Sequence, residues 1–290
     1  MERPLRKPPW LRRRLPAVGR TDEVCGTLEE LHLHTVCVSA QCPNQGECFG
    51  RGTATFLLLG PNCTRRCRFC AVDKKAPLPV DPEEPAHTAQ AARRLGLRFC
   101  VLTMVTRDDL PDGGAAQVAR TIEAIRQAIP GAGVEVLISD LGGDAAALET
   151  VLAARPEVLN HNLETVPRLY GEVRPQADYQ RSLEVIRRAA RRGFVTKSGL
   201  MLGLGEERGE VEAVLKDLRG AGCHLLTLGQ YLAPSRHHLP VRRYPPPEEW
   251  EELRRLALEM GFLGVASGPF VRSSYQAEGL YRTALKRRVR

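Results

Sequence analysis

The fold class this sequence predicts is α/β, with a parallel sheet curled into a partial (β/α)6-type TIM-like barrel. Three observations predict it. From Thr53 onward, short apolar runs rich in β-branched residues alternate with longer stretches of helical periodicity. Six such strand–helix repeats are followed by a last strand. Single helices separate strands of similar length, which favours right-handed crossovers in a barrel over an open doubly wound sheet. The expected layout is an N-terminal segment over residues 1–52, the barrel over 53–266 and a C-terminal extension over 267–290.

The strands are expected, in order, at "TATFLLLG", "LRFCVLTMV", "VEVLISD", "EVLNHNLET", "FVTKSGLML", "HLLTLGQY" and "FLGVASG". Helices are expected at Glu83–Leu95, Ala115–Ile129, Ala145–Ala154, Tyr179–Arg192, Gly209–Ala221 and Pro247–Met260. Ile122, Ile125 and Ile129, and likewise Leu183, Ile186 and Ala190, recur at helical spacing. Gly131 and Gly133, Gly193 and Gly261 read as helix stops. In a βα barrel the chemistry sits at the carboxyl ends of the strands. Four stretches fall there and are expected to meet at one mouth: the cysteine-rich loop after the first strand, "TRDDLPDGG", "NHNLET" and "GLGEE". "GLGEE" by itself is a weak glycine-loop signal and is more often just a βα turn.

The chain has 290 residues, 43% hydrophobic and 26% charged, a soluble globular profile with no apolar run near the ~20 residues that span a bilayer. "MERPLRKPPWLRRRLPAVGR" is Arg-rich, but its prolines oppose an amphipathic targeting helix, so it reads as a basic extended arm. Nine cysteines without a secretion signal point to a reducing, cytoplasmic setting rather than to disulfide staples. Net charge is 42 − 34 = +8, with basic runs at Arg12–Arg14 and at Lys286–Arg288 with Arg290. Taken singly such runs are solvated surface; together they suit an acidic partner. Aromatics are only 5%, a poor supply for stacking bases, so nucleic acid is not expected.

Six of the nine cysteines lie between Cys37 and Cys70. Cys63, Cys67 and Cys70, spaced C-x3-C-x2-C, follow the first strand, with Arg65, Arg66 and Arg68 interleaved to offset thiolate charge. Three thiolates hold three corners of an iron–sulfur cube and leave one iron open. A structural zinc would need a fourth ligand in a compact second pair, and only His87 follows within thirty residues. Upstream, Cys37, Cys42 and Cys48 form a second triple, C-x4-C-x5-C, where His34 or His32 could complete a zinc site instead. Two incomplete triads fit two iron–sulfur clusters, each with one corner that is not cysteine, more simply than two zinc ribbons. Cys100 and Cys223 read as small buried hydrophobes and Cys25 gets the same bland reading. His161 lies on a rim stretch as a site residue or a hydrogen-bonded one, and His237 and His238 belong to a binding loop or a structural turn.

The C-x3-C-x2-C triad after the first strand, with Phe69 before its last cysteine, resembles the radical S-adenosylmethionine superfamily. The upstream triad narrows the resemblance to the lipoyl synthases, as do "RKPPWLR", "TRDDLPDGGA", "NHNLETV", "TKSGLMLGLGE", "TLGQYLAPSRHHLPVRRYPPPEEW" and "GPFVRSSY". The resemblance runs from about Arg6 to Tyr275. It implies two [4Fe-4S] clusters: one on Cys63, Cys67 and Cys70 whose open iron is chelated by S-adenosylmethionine, and an auxiliary one on Cys37, Cys42, Cys48 and the hydroxyl of Ser274. It implies S-adenosylmethionine contacts from Phe69, Asp108, Asn160, Asn162, Glu164 and Lys197 at the rim, and a gating role for Arg272.

The implied reaction is radical sulfur insertion at carbons 6 and 8 of a protein-bound octanoyl-lysine, with the auxiliary cluster as sulfur source. No side-chain base can remove those unactivated protons, so a cofactor radical carries the step. The implied partners are an acidic lipoyl carrier domain or glycine-cleavage H protein, an electron donor such as ferredoxin or flavodoxin, and an iron–sulfur carrier that rebuilds the cluster. Two other readings remain open on sequence: a biotin-synthase-like radical enzyme, which lacks the upstream triad and the "RSSY" ending, and a zinc-bearing nucleic-acid-binding protein.

Overall fold

The computed structural model describes residues 5–12 and 19–288. The chain forms two compact units: Arg14–Arg65 with Ala71–Leu159, and Met1–Arg13 with Arg66–Cys70 and Asn160–Arg290.

The first unit opens with α1 (Thr21–Glu30), a two-residue strand β1 (His34–Thr35), and two short helices, α2 (Val36–Ser39) and α3 (Gln45–Gly50). None of these four was expected, because elements of two to six residues are too short to show a period and the longer α1 lies next to a proline-rich run. Then come β2 (Thr55–Leu58), α4 (Glu84–Arg94), β3 (Phe99–Met104), α5 (Ala115–Ala128), β4 (Gly133–Leu137) and α6 (Ala145–Ala153). β1 runs antiparallel to β2, while β2, β3 and β4 pair in parallel and in chain order. The short β5 (Val158–Asn160) stands where one unit gives way to the other.

The second unit holds α7 (Tyr170–Val173), α8 (Tyr179–Arg191), β6 (Val195–Leu202), α9 (Arg208–Gly220), β7 (Leu225–Gln230), α10 (Pro247–Glu259), β8 (Gly264–Gly268) and α11 (Ala277–Arg288). β6, β7 and β8 again pair in parallel and in chain order. Its core packs Leu183, Ile186, Leu200, Leu215, Leu226 and Leu253 between sheet and helices. Residues Pro9–Leu11, expected to be extended, make a 3-10 turn with Leu11 buried, so apolar anchoring overrides the basic character of that arm.

All six helices expected after Thr53 are present to within one residue at each end. Their boundaries follow local chemistry. Asp144 accepts from Ala146 N at 2.7 Å to start α6, and Asp178 accepts from Arg181 N at 2.7 Å to start α8. Gly131, Gly193 and Gly261 end helices with φ of 83°, 86° and 92°, a region that favours glycine. Gly133 does not: it is the first residue of β4, and a Cβ there would lie 2.6 Å from the Phe99 ring. "EVLNHNLET" is not one strand either. β5 stops at Asn160, and Glu164, at φ 67°, rejoins β6 through a single bridge to Leu200.

Candidate active site

The loop after β2 takes its shape from contacts within the protein. Leu59 and Gly60 turn the chain at φ 70° and 86°. The buried Glu84 carboxylate accepts Leu59 N at 2.9 and 3.1 Å, and Gln117 Nε2 donates to it at 3.0 Å. Gly114 has to lack a side chain, since a Cβ would sit 2.3 Å from Leu59 Cδ1. Beyond Pro61, Cys63 N donates to Asp73 O at 2.8 Å and Thr64 N donates to Thr106 O at 3.0 Å. The Cys63 Sγ accepts from Thr106 N at 3.3 Å.

Arg65 lies beneath this loop with its side chain only 6% exposed. Its Nε and Nη2 donate to the two oxygens of Asp108 at 2.8 and 2.9 Å, and Nη2 also donates to Asp140 at 2.6 Å. Burial works against the guanidinium charge, and the two carboxylates more than offset it, so it stays protonated. The interleaved arginines therefore do not act alike: Arg65 is committed to two aspartates, whereas Arg66 and Arg68 are exposed. Asp108, expected at the S-adenosylmethionine site, has both oxygens on Arg65.

Cys37, Cys42 and Cys48 sit on and between α2 and α3, close enough that their charges interact. Burial pushes the Cys37 thiol up to about 11, and Cys42 and Cys48 push it the same way. Burial likewise raises Cys48, with Cys42 adding to it. Thiols become ligands when a cation replaces their protons, so a triad on this short stretch suits an iron–sulfur cluster as the bound group. All nine cysteines are free thiols. Among the described residues no three His, Cys, Asp or Glu side chains are grouped to hold a single metal ion. His34, the alternative zinc ligand, is on β1, and His32 is exposed.

In the second unit, Arg66–Cys70 is held at both ends of its backbone. Arg66 N donates to Gln176 Oε1 at 2.6 Å, Arg68 N to Val173 O at 2.9 Å, and Leu239 N to Arg68 O at 3.2 Å. His238 Nε2 lies 3.3 Å from Cys70 O, and Nδ1 lies 2.9 Å from Ser235 Oγ. A carbonyl only accepts, so Nε2 donates to Cys70 O. The "SRHH" turn is thus structural and also holds a cysteine carbonyl. Phe69 packs against the apolar core of this unit.

The end of β5 carries a connected polar cluster. Asn160 Nδ2 donates to Ser273 Oγ at 2.8 Å, and Ser273 Oγ donates to Asn162 Oδ1 at 3.3 Å. Asn162 Nδ2 donates to Glu164 Oε1 at 3.0 Å. Desolvation raises the Glu164 carboxyl, moderated by the charges of Arg174 and Arg272 and by the Asn162 bond. Arg174 Nη1 donates to the carbonyls of Asn162 and Leu163 at 2.7 and 3.0 Å, which fixes the irregular backbone after β5. His161 is buried, its N donating to Lys197 O at 3.0 Å. Lys197 is fully buried, but it is not on the rim of its own strand: it is the third residue of the eight-residue β6, level with the end of the shorter β5. Ser273, Arg174 and Thr106 are participants that sequence alone did not single out. "GLGEE" is a βα turn in which Glu206 accepts from Gly203 N and Leu204 N at 2.7 and 2.9 Å.

A family model of the Radical SAM superfamily matches residues 57–218. A lipoyl synthase of Trichlorobacter lovleyi is 58% identical over 94% of this chain and 97% of its own length. The chain belongs to the lipoyl synthase family. A lipoyl synthase of Chlorobium phaeovibrioides is 55% identical over 94% of this chain and 97% of its own. The crystal structure of methylornithine synthase superposes with a TM-score of 0.55 at 14% identity, covering 83% of this chain and 73% of that one, a likeness of fold. As a lipoyl synthase family member the chain is a radical SAM enzyme on an α/β, partial TIM-like barrel fold, as expected from the sequence. Membership of this superfamily implies a [4Fe-4S] cluster and S-adenosylmethionine. Among the described residues, no helix is long and apolar enough to cross a membrane.

Proposed function

We propose that this enzyme inserts two sulfur atoms, at carbons 6 and 8, into an octanoyl chain carried on a lysine of an acidic lipoyl carrier domain or glycine-cleavage H protein. What carries the reading is the presence of two cysteine triads, C-x4-C-x5-C and C-x3-C-x2-C, with a terminal "RSSY", in a chain whose relatives at 58% identity are lipoyl synthases. Cys63, Cys67 and Cys70 would hold the radical-generating cluster, and Cys37, Cys42, Cys48 and Ser274 the auxiliary cluster. When bound, the first cluster with S-adenosylmethionine supplies a radical able to take hydrogen from an unactivated carbon, and the second supplies sulfur.

The chain's own part is positioning. Glu84, Arg107 and Thr106 fix the backbone that presents Cys63, with Arg107 Nη1 donating to Leu59 O at 3.3 Å. Asn160, Asn162, Glu164 and Lys197 supply polar groups for S-adenosylmethionine at the end of β5 and the level of β6 beside it. Phe69 packs its stretch of the cysteine loop against apolar core. Asp108 serves this site through Arg65.

Arg12, Lys286 and Arg287 provide charge for an acidic carrier; Arg13, Arg14 and Arg290, and the Arg288 side chain, lie outside the described residues. A ferredoxin or flavodoxin as reductant, an iron–sulfur carrier and a cytoplasmic setting complete the proposal. Anaerobic incubation of an octanoyl-lysine peptide with dithionite and S-adenosylmethionine tests it by mass spectrometry. A product heavier by two sulfur atoms supports it; unchanged peptide beside accumulating 5′-deoxyadenosine refutes the substrate and leaves the radical chemistry standing.

A further inference from the structure

Three fastenings of the turn that carries Ser274 lie within the second unit. Its backbone closes on itself, Val271 N donating to Gly268 O at 3.1 Å and Tyr275 N to Arg272 O at 3.0 Å. Arg272 reaches back along its own segment, Nη1 donating to Val271 O at 2.7 Å and to Pro269 O at 3.4 Å. The turn also lies flush on β7: a Cβ on Gly229 would come 2.2 Å from Val271 O, so only glycine leaves room for the segment there.

The third fastening is the Ser273 hydroxyl. It accepts from Asn160 Nδ2 at 2.8 Å and donates to Asn162 Oδ1 at 3.3 Å, so both of its hydrogen-bonding directions are used and both run to the end of β5. Asn160 and Asn162 are themselves buried, and Gly199 makes room for Asn162, since a Cβ at 199 would meet its Oδ1 at 3.0 Å. Two adjacent serines thus have different duties. The first is tied into the sheet end, and the second follows it by one peptide, about 3.8 Å away along the chain.

We propose that Ser273 is a positioning residue that aims the Ser274 oxygen and sets how readily that oxygen lets go of its iron. This rests on the reading that Ser274 ligates the auxiliary cluster. The physical reason is that an oxygen ligand on a single residue in a half-buried turn is held only as firmly as its backbone. The Ser273 pair ties the turn to the buried asparagines at the end of β5. Releasing it leaves the ligand chemistry intact and the aim loose.

The test isolates the auxiliary cluster in full-length protein carrying Cys63→Ala, Cys67→Ala and Cys70→Ala, reconstituted anaerobically, and follows iron release to a chelator without S-adenosylmethionine. Ser273→Ala is expected to speed release about three- to tenfold, the effect of losing hydrogen bonds of modest net strength. Ser274→Ala is expected to speed it at least as much. Because Ser273 acts through Ser274, the double variant should release iron no faster than Ser274→Ala alone. Ser273→Thr, which keeps the hydroxyl, should restore the slow rate. Asn160→Ala removes the same donor from the other side and should match Ser273→Ala, which guards against a defect confined to the turn. Acceleration by Ser274→Ala with none by Ser273→Ala or Asn160→Ala overturns the inference and spares the ligand reading. No acceleration by Ser274→Ala overturns the ligand reading itself. Additive acceleration in the double variant also overturns the inference.

Discussion

Replacing Arg65 with Met should destabilise the protein strongly, and the geometry says by how much. Asp140 has a fully buried side chain and takes a 2.6 Å hydrogen bond from Arg65. Without the guanidinium that carboxylate keeps the Gly142 N donor at 3.1 Å and no cation from Arg65. Removing one partner of a buried pair costs about 3–5 kcal/mol. The bond to Asp108, whose side chain is 41% exposed, adds roughly 1 kcal/mol or less because water screens it. At about 2 °C per kcal/mol for a chain of this size, Tm should fall by roughly 6–10 °C. Circular dichroism of the cofactor-free protein measures it. Arg65→Met with Asp140→Leu should recover a large part of the loss, since the buried carboxylate that faced Arg65 is gone, while Asp108→Asn alone should shift Tm by about 2 °C or less. A loss under 2 °C for Arg65→Met, or a double variant as unstable as the single one, would refute the reasoning.

Gly229→Ala places a methyl 2.2 Å from Val271 O, so the turn must move; overpacking of this kind costs about 1–3 kcal/mol, and less iron should be retained at the auxiliary triad on reconstitution. Glu206→Gln weakens acceptance from Gly203 N and Leu204 N and the ion pair with Arg243 at 3.4 Å, with an expected loss of about 1–3 kcal/mol by denaturant titration. Burial pushes the Cys100 and Cys223 thiols up to about 12. At pH 8 roughly one in ten thousand is thiolate, so alkylation mapped by mass spectrometry should leave both unlabelled in native protein. The sign for stability follows: the folded state keeps protons that unfolded thiols shed near pH 8.5, so this contribution is intact below about pH 8 and declines as pH climbs toward 12.

The barrel elements were legible because each helix from α4 to α10, the four-residue α7 apart, shows its period and its stop: Gly193 and Gly261 end helices where the sequence marks them. The cysteine triads were legible from spacing alone. Arg65 was not, because "TRRCRF" offers three arginines of equal appearance and only the fold brings Asp108 and Asp140 to the first. Ser273 and Arg174 were invisible for the same reason, their partners lying 111 residues away at Asn162 for one and on a backbone carbonyl 12 residues back for the other. The rim placement of Lys197 failed because strand length was read as uniform, whereas β5 has three residues and β6 has eight.

The central claim is that one cluster in this chain surrenders its sulfur to the substrate. Reconstituting the auxiliary cluster with heavy-isotope sulfide and running a single anaerobic turnover on an octanoyl-lysine peptide tests this most directly. The account predicts a product in which both inserted sulfur atoms carry the label, matched by loss of iron from that cluster. A product whose sulfur is unlabelled, or an auxiliary cluster that survives sulfur insertion intact, would contradict it.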